Sequence, residues 1–205
     1  MPTVFLIDDD PSVRRALTRL IKSAGYQVQP FASARGFLDG GCRSAGPSCL
    51  VLDVQMPGLS GLDLQHELAA LDMNLPIVFI TGHGDIPTSV RAMKAGAVDF
   101  LQKPVKDKDL LQAIEQSLAR AARDQSEREE IDEIRRRLAS LSPREREVMA
   151  LVVTGMLNKQ VAFQLGTVEK TIKVHRARVM DKMGADSVAA LVRMAEKVGI
   201  PEKRN

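Results

Sequence analysis

Four carboxylates stand where short apolar runs of the chain end. Asp8, Asp9 and Asp10 follow the apolar residues 4–7, and Asp53 follows the apolar residues 49–52. If both runs are parallel strands, these carboxylates meet at one edge of a sheet. Clustered carboxylates repel one another and need a cation, and an all-oxygen set favours Mg²⁺ (or Mn²⁺) over zinc or copper. The pattern therefore predicts a divalent metal site.

Five short apolar runs alternate with helix-length periodic segments over residues 1–121. This alternation predicts an α/β doubly wound, five-stranded parallel sheet with helices on both faces. Ligands of such sheets lie at the carboxyl ends of the strands, where Thr81 follows the fourth run and Lys103 follows the fifth. Pro30 lacks an N–H, so the run Gln27–Phe31 is confined to the sheet edge or to a strand end.

These segments resemble the receiver domain of two-component response regulators over about residues 3–121. The matching stretches are Leu6-Ile7-Asp8-Asp9-Asp10, then Leu52-Asp53-Val54-Gln55-Met56-Pro57-Gly58, then Ile80-Thr81-Gly82, then Phe100-Leu101-Gln102-Lys103-Pro104. The resemblance implies the flavodoxin-like order of the doubly wound sheet. It also implies a cis peptide bond before Pro104.

The resemblance assigns a role to each polar group of the pocket. Asp53 would be the phosphoacceptor, and Asp8, Asp9, Asp53 and the backbone carbonyl of Gln55 would hold Mg²⁺ (or Mn²⁺). Thr81 and Lys103 would bind the phosphoryl oxygens. Phe100 would be the switch aromatic that enters the space Thr81 vacates, with an ordinary core residue as the alternative. The phosphodonor would be a phosphohistidine on a sensor histidine kinase.

Composition excludes several other classes of protein. Of the 205 residues, 44% are hydrophobic and 27% are charged, as in ordinary globular proteins. No apolar run approaches the roughly 20 residues that span a bilayer, and the N-terminal segment has no secretion signal. Cys42 and Cys49 do not form a disulfide framework. We expect a cytoplasmic protein that does not associate with membranes.

Charge is distributed unevenly along the chain. Residues 1–118 hold 11 Lys and Arg against 13 Asp and Glu, whereas residues 140–205 hold 12 against 7, a net +5. An acidic part followed by a basic part predicts two domains with different partners. The basic part is a candidate for binding a polyanion, and ordinary solubilising charge is the alternative.

The segment between the two parts contains no glycine or proline from residue 107 to 141. Apolar residues at steps of three and four predict one helical stripe, interrupted by the polar residues 123–130. We therefore expect a receiver domain over 1–121, a helical linker over 122–140 and a further domain over 141–205. The linker either pairs with a second chain as a short coiled coil or is a solvated spacer.

Four short helices are predicted in the C-terminal part, over about residues 145–153, 158–165, 168–183 and 187–198. They form an all-α four-helix domain with a helix-turn-helix. On a helical wheel, one face of the third helix is core and carries Val168, Ile172, Val179 and Met183. The opposite, basic face suits the major groove, with a solvated basic helix as the alternative.

Residues 141–197 resemble the LuxR-type helix-turn-helix. The matching stretches are Leu141-Ser142-Pro143-Arg144-Glu145-Arg146-Glu147-Val148, Asn158-Lys159, Leu165-Gly166 and Glu169-Lys170-Thr171-Ile172-Lys173-Val174-His175-Arg176. The resemblance implies that the DNA-facing side chains are those of Lys170, Thr171, Lys173, Val174, Ala177 and Arg178. Val168 stands where the family usually has a capping Ser or Thr, so we expect Thr167 to cap this helix. The helix from Ser187 would be the dimer contact on DNA.

The two halves together resemble the NarL/FixJ class of response regulators, including FixJ and the regulators of styrene and toluene catabolism. The stretches 81–85 and 92–97 carry this closer likeness. It implies a transcription regulator in which phosphorylation of Asp53 shifts the receiver and releases or dimerises the DNA-binding domain. The phosphorylated protein would be a homodimer that binds double-stranded DNA and contacts RNA polymerase. We expect no catalytic residues. The alternatives are a constitutive DNA-binding protein with an uncoupled receiver and a Mg²⁺-dependent phosphatase.

Overall fold

The structure, a computed structural model, describes residues 1–40, 44, 46–82 and 86–200. The chain forms two compact units, residues 1–125 and residues 126–205. Cys42 and residues 83–85, which carry part of the likeness to the NarL/FixJ class, lie outside the described residues. Within the described part, no helix is both long and apolar enough to cross a membrane.

The first unit is a parallel sheet in the strand order β2-β1-β3-β4-β5. Its elements alternate along the chain: β1 Thr3–Ile7, α1 Pro11–Ser23, β2 Gln27–Phe31, α2 Ala34–Gly40, β3 Ser48–Asp53, α3 Gly61–Ala70, β4 Ile77–Thr81, α4 Ile86–Lys94, β5 Asp99–Gln102 and the start of α5, Asp107–Ala139. The predicted five-stranded doubly wound fold is confirmed. Pro30 lies in the edge strand β2, as its missing N–H requires.

Each central strand is buried on both faces. In β1, Phe5 and Ile7 join one apolar cluster, and Val4 and Leu6 join the cluster on the other face. The same alternation continues in β3 and β4. Burial of both faces explains why these strands are continuous apolar runs rather than alternating ones, and it leaves polar groups only at the strand ends.

The second unit is helical and contains the predicted helix-turn-helix. After the end of α5 come α6 Pro143–Val152, α7 Asn158–Gln164, α8 Glu169–Met183 and α9 Val188–Lys197. The side chain of Ser142 accepts from the Glu145 backbone, and the side chain of Glu145 accepts from the Ser142 backbone, so the predicted capping box is present. Gly184 ends α8 in the left-handed conformation.

Two expectations about the start of α8 are wrong. Val168 is not a core residue: it is the N-cap of the helix, and its side chain is 66% exposed. Val168 precedes the first helical residue, so the direction that a helical wheel assigns to its side chain does not apply. Thr167 does not cap α8, because its backbone still belongs to the end of α7, where its N–H donates to the Ala162 carbonyl at 2.9 Å.

The predicted linker is helical, and α5 runs through it as one helix of 33 residues. Its last turns pack within the second unit, where Ile134 is only 3% exposed and Leu138 packs against the same core. The apolar stripe at this end of α5 is therefore occupied by its own unit.

Candidate phosphoryl pocket and nucleic-acid interface

Three carboxylates converge at the carboxyl end of the sheet. β1 and β3 are parallel neighbours with Ile7 opposite Leu52, so Asp8 and Asp53 emerge side by side. Ligand oxygens of Asp8, Asp9 and Asp53 lie within 4.8 Å of one another. Asp8 and Asp53 are buried, whereas Asp9 is exposed. This oxygen-only set, open to solvent on one side, fits a hard divalent cation.

Lys103 bridges the two buried carboxylates. Its Nζ lies 2.8 Å from Asp8 Oδ2 and 2.5 Å from Asp53 Oδ2. The Lys103 backbone N–H donates to the Thr81 carbonyl at 2.7 Å, and the peptide bond to Pro104 is cis, as predicted. Burial lowers the pKa of Lys103, but its hydrogen bonds to Asp53 and Asp8 outweigh that effect and raise it. The ammonium therefore stays charged in the pocket.

Asp8 carries the electrostatic cost of this arrangement. Burial raises its pKa, and the hydrogen bond from Lys103 only partly opposes that rise. Asp8 Oδ1 also accepts from the Asp10 backbone at 2.9 Å. One ammonium thus leaves the pocket short of positive charge, and a divalent cation beside Asp8 would supply it.

The carboxylate of Asp53 is held through both oxygens. Oδ1 accepts from the Gln55 backbone N–H at 3.0 Å, and Oδ2 accepts from Lys103. Gly61, the first residue of α3, packs against the Asp53 backbone so closely that a Cβ there would overlap the Asp53 carbonyl oxygen. A side chain at Gly61 would displace either Asp53 or α3. Sequence reasoning missed this requirement.

Thr81 and Phe100 lie on the neighbouring strands. Thr81 is fully buried at the end of β4. Phe100, in β5, is partly buried, and its ring centroid is 6.2 Å from that of Phe79. Phe100 packs against the core cluster on that face of the sheet. The switching roles of Thr81 and Phe100 stay predictions.

The acidic loop has a support that sequence reasoning also missed. Arg14, on α1, donates from Nη1 to the carbonyls of Asp8 at 2.6 Å and Asp9 at 3.2 Å. Asp10 instead caps α1, accepting from the backbone N–H of Ser12 and Val13, and these bonds lower its pKa. Asp10 is thus a helix cap rather than a metal ligand. An arginine one turn after an acidic run is the only sequence signal for Arg14.

The proposed DNA-facing side chains share one surface of α8. Ile172, Val179 and Met183 are buried in the core of the second unit. The opposite surface is exposed, with Thr171 partly buried, and carries Lys170, Thr171, Lys173, Val174, Ala177 and Arg178. The Lys173 ammonium lies 3.3 Å from a Glu169 carboxylate oxygen one turn earlier, in an exposed pair. Such pairs are weak, so Lys173 is available to a stronger anion.

The helix-turn-helix is fastened by side-chain contacts between its helices. Arg176 Nη1 donates to Asn158 Oδ1 at 2.9 Å and ties α8 to the start of α7. Glu145 is buried. Its carboxylate accepts hydrogen bonds from Lys182 Nζ at 2.6 Å and from the Ser142 backbone N–H at 2.8 Å. The Lys182 bond, followed by the Ser142 bond, lowers the pKa of Glu145 to about 2. Glu145 therefore links α6 to the end of α8.

The chain matches two family models and has relatives along nearly its whole length. The response regulator receiver domain matches residues 4–115, and the luxR family of bacterial regulatory proteins matches residues 139–195. Nodulation protein W of Bradyrhizobium diazoefficiens is 53% identical, with 96% of this chain and 86% of that protein covered. Transcriptional regulatory protein FixJ of Azorhizobium caulinodans is 44% identical, with 96% and 93% covered.

A solved structure agrees with these matches. The response regulator StyR has a TM-score of 0.86 and 49% sequence identity to this chain, with 96% of this chain and 98% of that chain covered. The chain belongs to the two-component response regulators that join a receiver domain to a LuxR-type DNA-binding domain and act as transcription regulators.

Proposed function

We propose that Asp53 is the phosphoacceptor of this regulator and that its phosphorylation controls DNA binding. The observation that carries the assignment is the position of the Asp53 carboxylate, which lies beside Asp8 and Asp9 and accepts a hydrogen bond from Lys103. Two further carboxylates and one ammonium therefore surround this carboxylate. The partner implied by the family is a sensor histidine kinase.

Asp8, Asp9 and Asp53, with the backbone carbonyl of Gln55, would hold Mg²⁺ (or Mn²⁺). The ion, when bound, supplies positive charge against the oxygens of the transferring phosphoryl group. Arg14 fixes the carbonyls of the acidic loop and so orients Asp8 and Asp9. Asp9 is the exposed member of this set.

In the transfer, an Asp53 carboxylate oxygen attacks the phosphorus of a phosphohistidine. The new O–P bond forms while the P–N bond breaks, and the electron pair stays on the imidazole, which then takes up a proton. The protein contributes mainly position and charge. Lys103 already lies against the attacking group. The Thr81 hydroxyl would hydrogen-bond a new phosphoryl oxygen, and Phe100 would follow into the space that Thr81 vacates.

The output of this switch is a homodimer. The α4 helix exposes an apolar stripe at steps of four and three residues, with Ile86 79%, Val90 43% and Met93 45% exposed. This surface, within residues 86–101, is a candidate for pairing between two phosphorylated receivers. A dimer presents two α8 helices to double-stranded DNA, and Lys170, Thr171, Lys173, Val174, Ala177 and Arg178 are the proposed contacts.

The remaining parts of the proposal follow from the family. The protein regulates rather than catalyses, acts in the cytoplasm and contacts RNA polymerase at its promoters, as expected of a transcriptional regulator. The receiver domain over 1–121 and the DNA-binding domain over 141–205 carry the two activities, with 122–140 between them.

Labelling with a small phosphodonor tests the assignment of Asp53. Acetyl phosphate with Mg²⁺ should phosphorylate the wild-type chain, and Asp53→Asn should abolish the product on a phosphate-affinity gel. Asp10→Asn is the matched control, because it changes a carboxylate of the same loop but keeps a side chain that can cap α1. Phosphorylation of Asp53→Asn to the wild-type level would reject Asp53 as the acceptor.

A further inference from the structure

The end of α5 and the recognition helix α8 share one core. Ile134 of α5 belongs to the same buried cluster as Ile172, Val179 and Met183 of α8. Leu138, one turn after Ile134, packs against that cluster. The last turns of the long helix are therefore built into the DNA-binding unit and are placed to affect how α8 is held.

Arg137 makes a polar contact from this part of α5 to the end of α8. Its Nη1 donates to the Met183 carbonyl at 2.9 Å, and its Nε donates to Glu133 Oε1 at 2.8 Å. Met183 is the last residue of α8, so its carbonyl has no partner within the helix. The arginine thus supplies both a donor and a positive charge at the negative end of the helix dipole.

Glu133 orients the Arg137 guanidinium through a hydrogen bond. Its hydrogen bond from Arg137, together with the nearby charge of Arg136, lowers the pKa of Glu133. The carboxylate therefore stays ionised and fixes Arg137 in the orientation that reaches α8. Glu133 and Arg137 are one turn apart on α5, so the helix itself sets this geometry.

Gly184 makes the approach possible. It is the left-handed C-cap of α8, with φ of 64°, and a Cβ at this position would overlap the Arg137 guanidinium. The left-handed backbone conformation favours glycine here, and the Arg137 guanidinium occupies the space that a side chain at this position would enter.

We propose that Arg137 is a positioning residue for DNA binding: it caps the C-terminus of α8 and so ties the recognition helix to α5, the helix that begins in the receiver. The proposal rests on the DNA-facing assignment of α8. Arg137 is not expected to touch DNA. Loss of the Arg137 side chain should loosen the last turn of α8. It should lower the affinity for the preferred DNA sequence more than the affinity for DNA of other sequences.

Arg136 provides a matched control. It lies next to Arg137, carries the same charge and pairs with the other oxygen of Glu133 at 2.8 Å, but its side chain is 75% exposed. Within the described part of the chain, Arg137 donates a hydrogen bond to α8, whereas Arg136 does not. Arg136→Ala therefore removes one charge from α5 while keeping the cap.

The experiment compares the full-length wild type, Arg137→Ala, Arg137→Lys and Arg136→Ala, each with Mg²⁺ and beryllofluoride. Fluorescence anisotropy gives the affinity for a duplex selected by the wild type from a random pool and for a scrambled duplex, below the melting temperature of every variant. Arg137→Ala should bind the selected duplex about tenfold more weakly, the effect of losing one charged hydrogen bond. Its affinity for the scrambled duplex and its salt slope should be unchanged.

Arg137→Lys should keep part of the affinity, since an ammonium can still donate to the carbonyl, and Arg136→Ala should match the wild type. Equal affinities of Arg137→Ala and Arg136→Ala for the selected duplex would overturn the proposal. So would a shallower salt slope in Arg137→Ala, which would indicate a direct phosphate contact. A merely structural role would lower the melting temperature and leave the preference for the selected duplex intact.

Hydrogen exchange without DNA separates this inference from the proposed function. Peptides covering residues 180–185 should exchange faster in Arg137→Ala than in Arg136→Ala if the cap holds the end of α8. Unchanged exchange would overturn the capping role. If the wild type binds no DNA but Arg137→Ala still exchanges faster than Arg136→Ala, the result would support the cap and reject the DNA-facing assignment of α8.

Discussion

The ammonium of Lys103 lies 2.5 Å from the carboxylate of Asp53, although 49 residues separate the two in the chain. The same ammonium is 2.8 Å from Asp8, so a single cation holds two buried acids together. Without Lys103, these acids would repel each other at the end of the sheet. The contact places a positive charge beside the proposed phosphoacceptor before any phosphoryl group arrives.

Metal binding should depend on Asp9 and not on Asp10. Asp9→Asn removes one anionic ligand of the proposed set, so we expect the affinity for Mn²⁺, measured by electron paramagnetic resonance, to fall on the order of tenfold. Asp10→Asn should leave it unchanged, because Asp10 is bonded to the start of α1. Equal losses in the two variants would mean that overall acidity, rather than a defined ligand set, attracts the ion.

Dimerisation should require the exposed stripe of α4. With Mg²⁺ and beryllofluoride, light scattering should report a dimer for the wild type and a monomer for Val90→Glu, since a charge in an apolar contact is costly. Leu71→Glu is a suitable control, because Leu71 is also exposed, at 61%, but lies at the end of α3. A dimer of unchanged mass in Val90→Glu would place the contact elsewhere.

Base recognition should be sensitive to Lys173. If this side chain reads a base edge, Lys173→Ala should weaken binding to a selected duplex by about 1–3 kcal/mol, as measured by fluorescence anisotropy. Arg135→Ala is the comparison: it also removes one exposed charge of the second unit, but Arg135 pairs with Asp132 on α5. An affinity of Lys173→Ala equal to that of Arg135→Ala would remove Lys173 from the interface.

The second unit should lose stability in acid through Glu145. Its pKa is about 2 in the folded chain against an ordinary 4.5, so its bonds to Lys182 and Ser142 stabilise fully above about pH 4.5 and are lost as the pH falls toward 2. In Glu145→Gln, peptides of α6 should exchange hydrogen faster than in the wild type at neutral pH, and the difference should shrink across this window.

Glu147→Gln, which alters an exposed pair with Arg144, should have little effect. A difference between Glu145→Gln and wild type that is the same on both sides of the window would contradict the assignment.

The order of elements and the positions of the pocket acids could be predicted from the sequence because both depend on local patterns. Apolar runs marked the buried strands, and in a parallel sheet the residues that follow them must meet at one edge. Asp8 and Asp53 meet for this reason. The predicted ends of the helices were also close, because Ser142 and Gly184 are local capping signals.

The contacts that the sequence did not reveal depend on tertiary packing. Arg14 reaches the carbonyls of the acidic loop, Gly61 touches the Asp53 backbone, and Arg137 meets the end of α8 across 46 residues. No periodicity links such partners. Val168 was misplaced because a helical wheel extends a helix by geometry alone, whereas the turn after α7 decides where α8 begins.

Control of DNA binding by Asp53 can be tested by one comparison of affinities. Fluorescence anisotropy would give the dissociation constant for a selected duplex with Mg²⁺, with and without beryllofluoride, for the wild type and for Asp53→Asn. The account predicts that beryllofluoride tightens binding by the wild type and leaves Asp53→Asn unchanged. The same affinity in all four samples would contradict it and would indicate a DNA-binding protein that the receiver does not control.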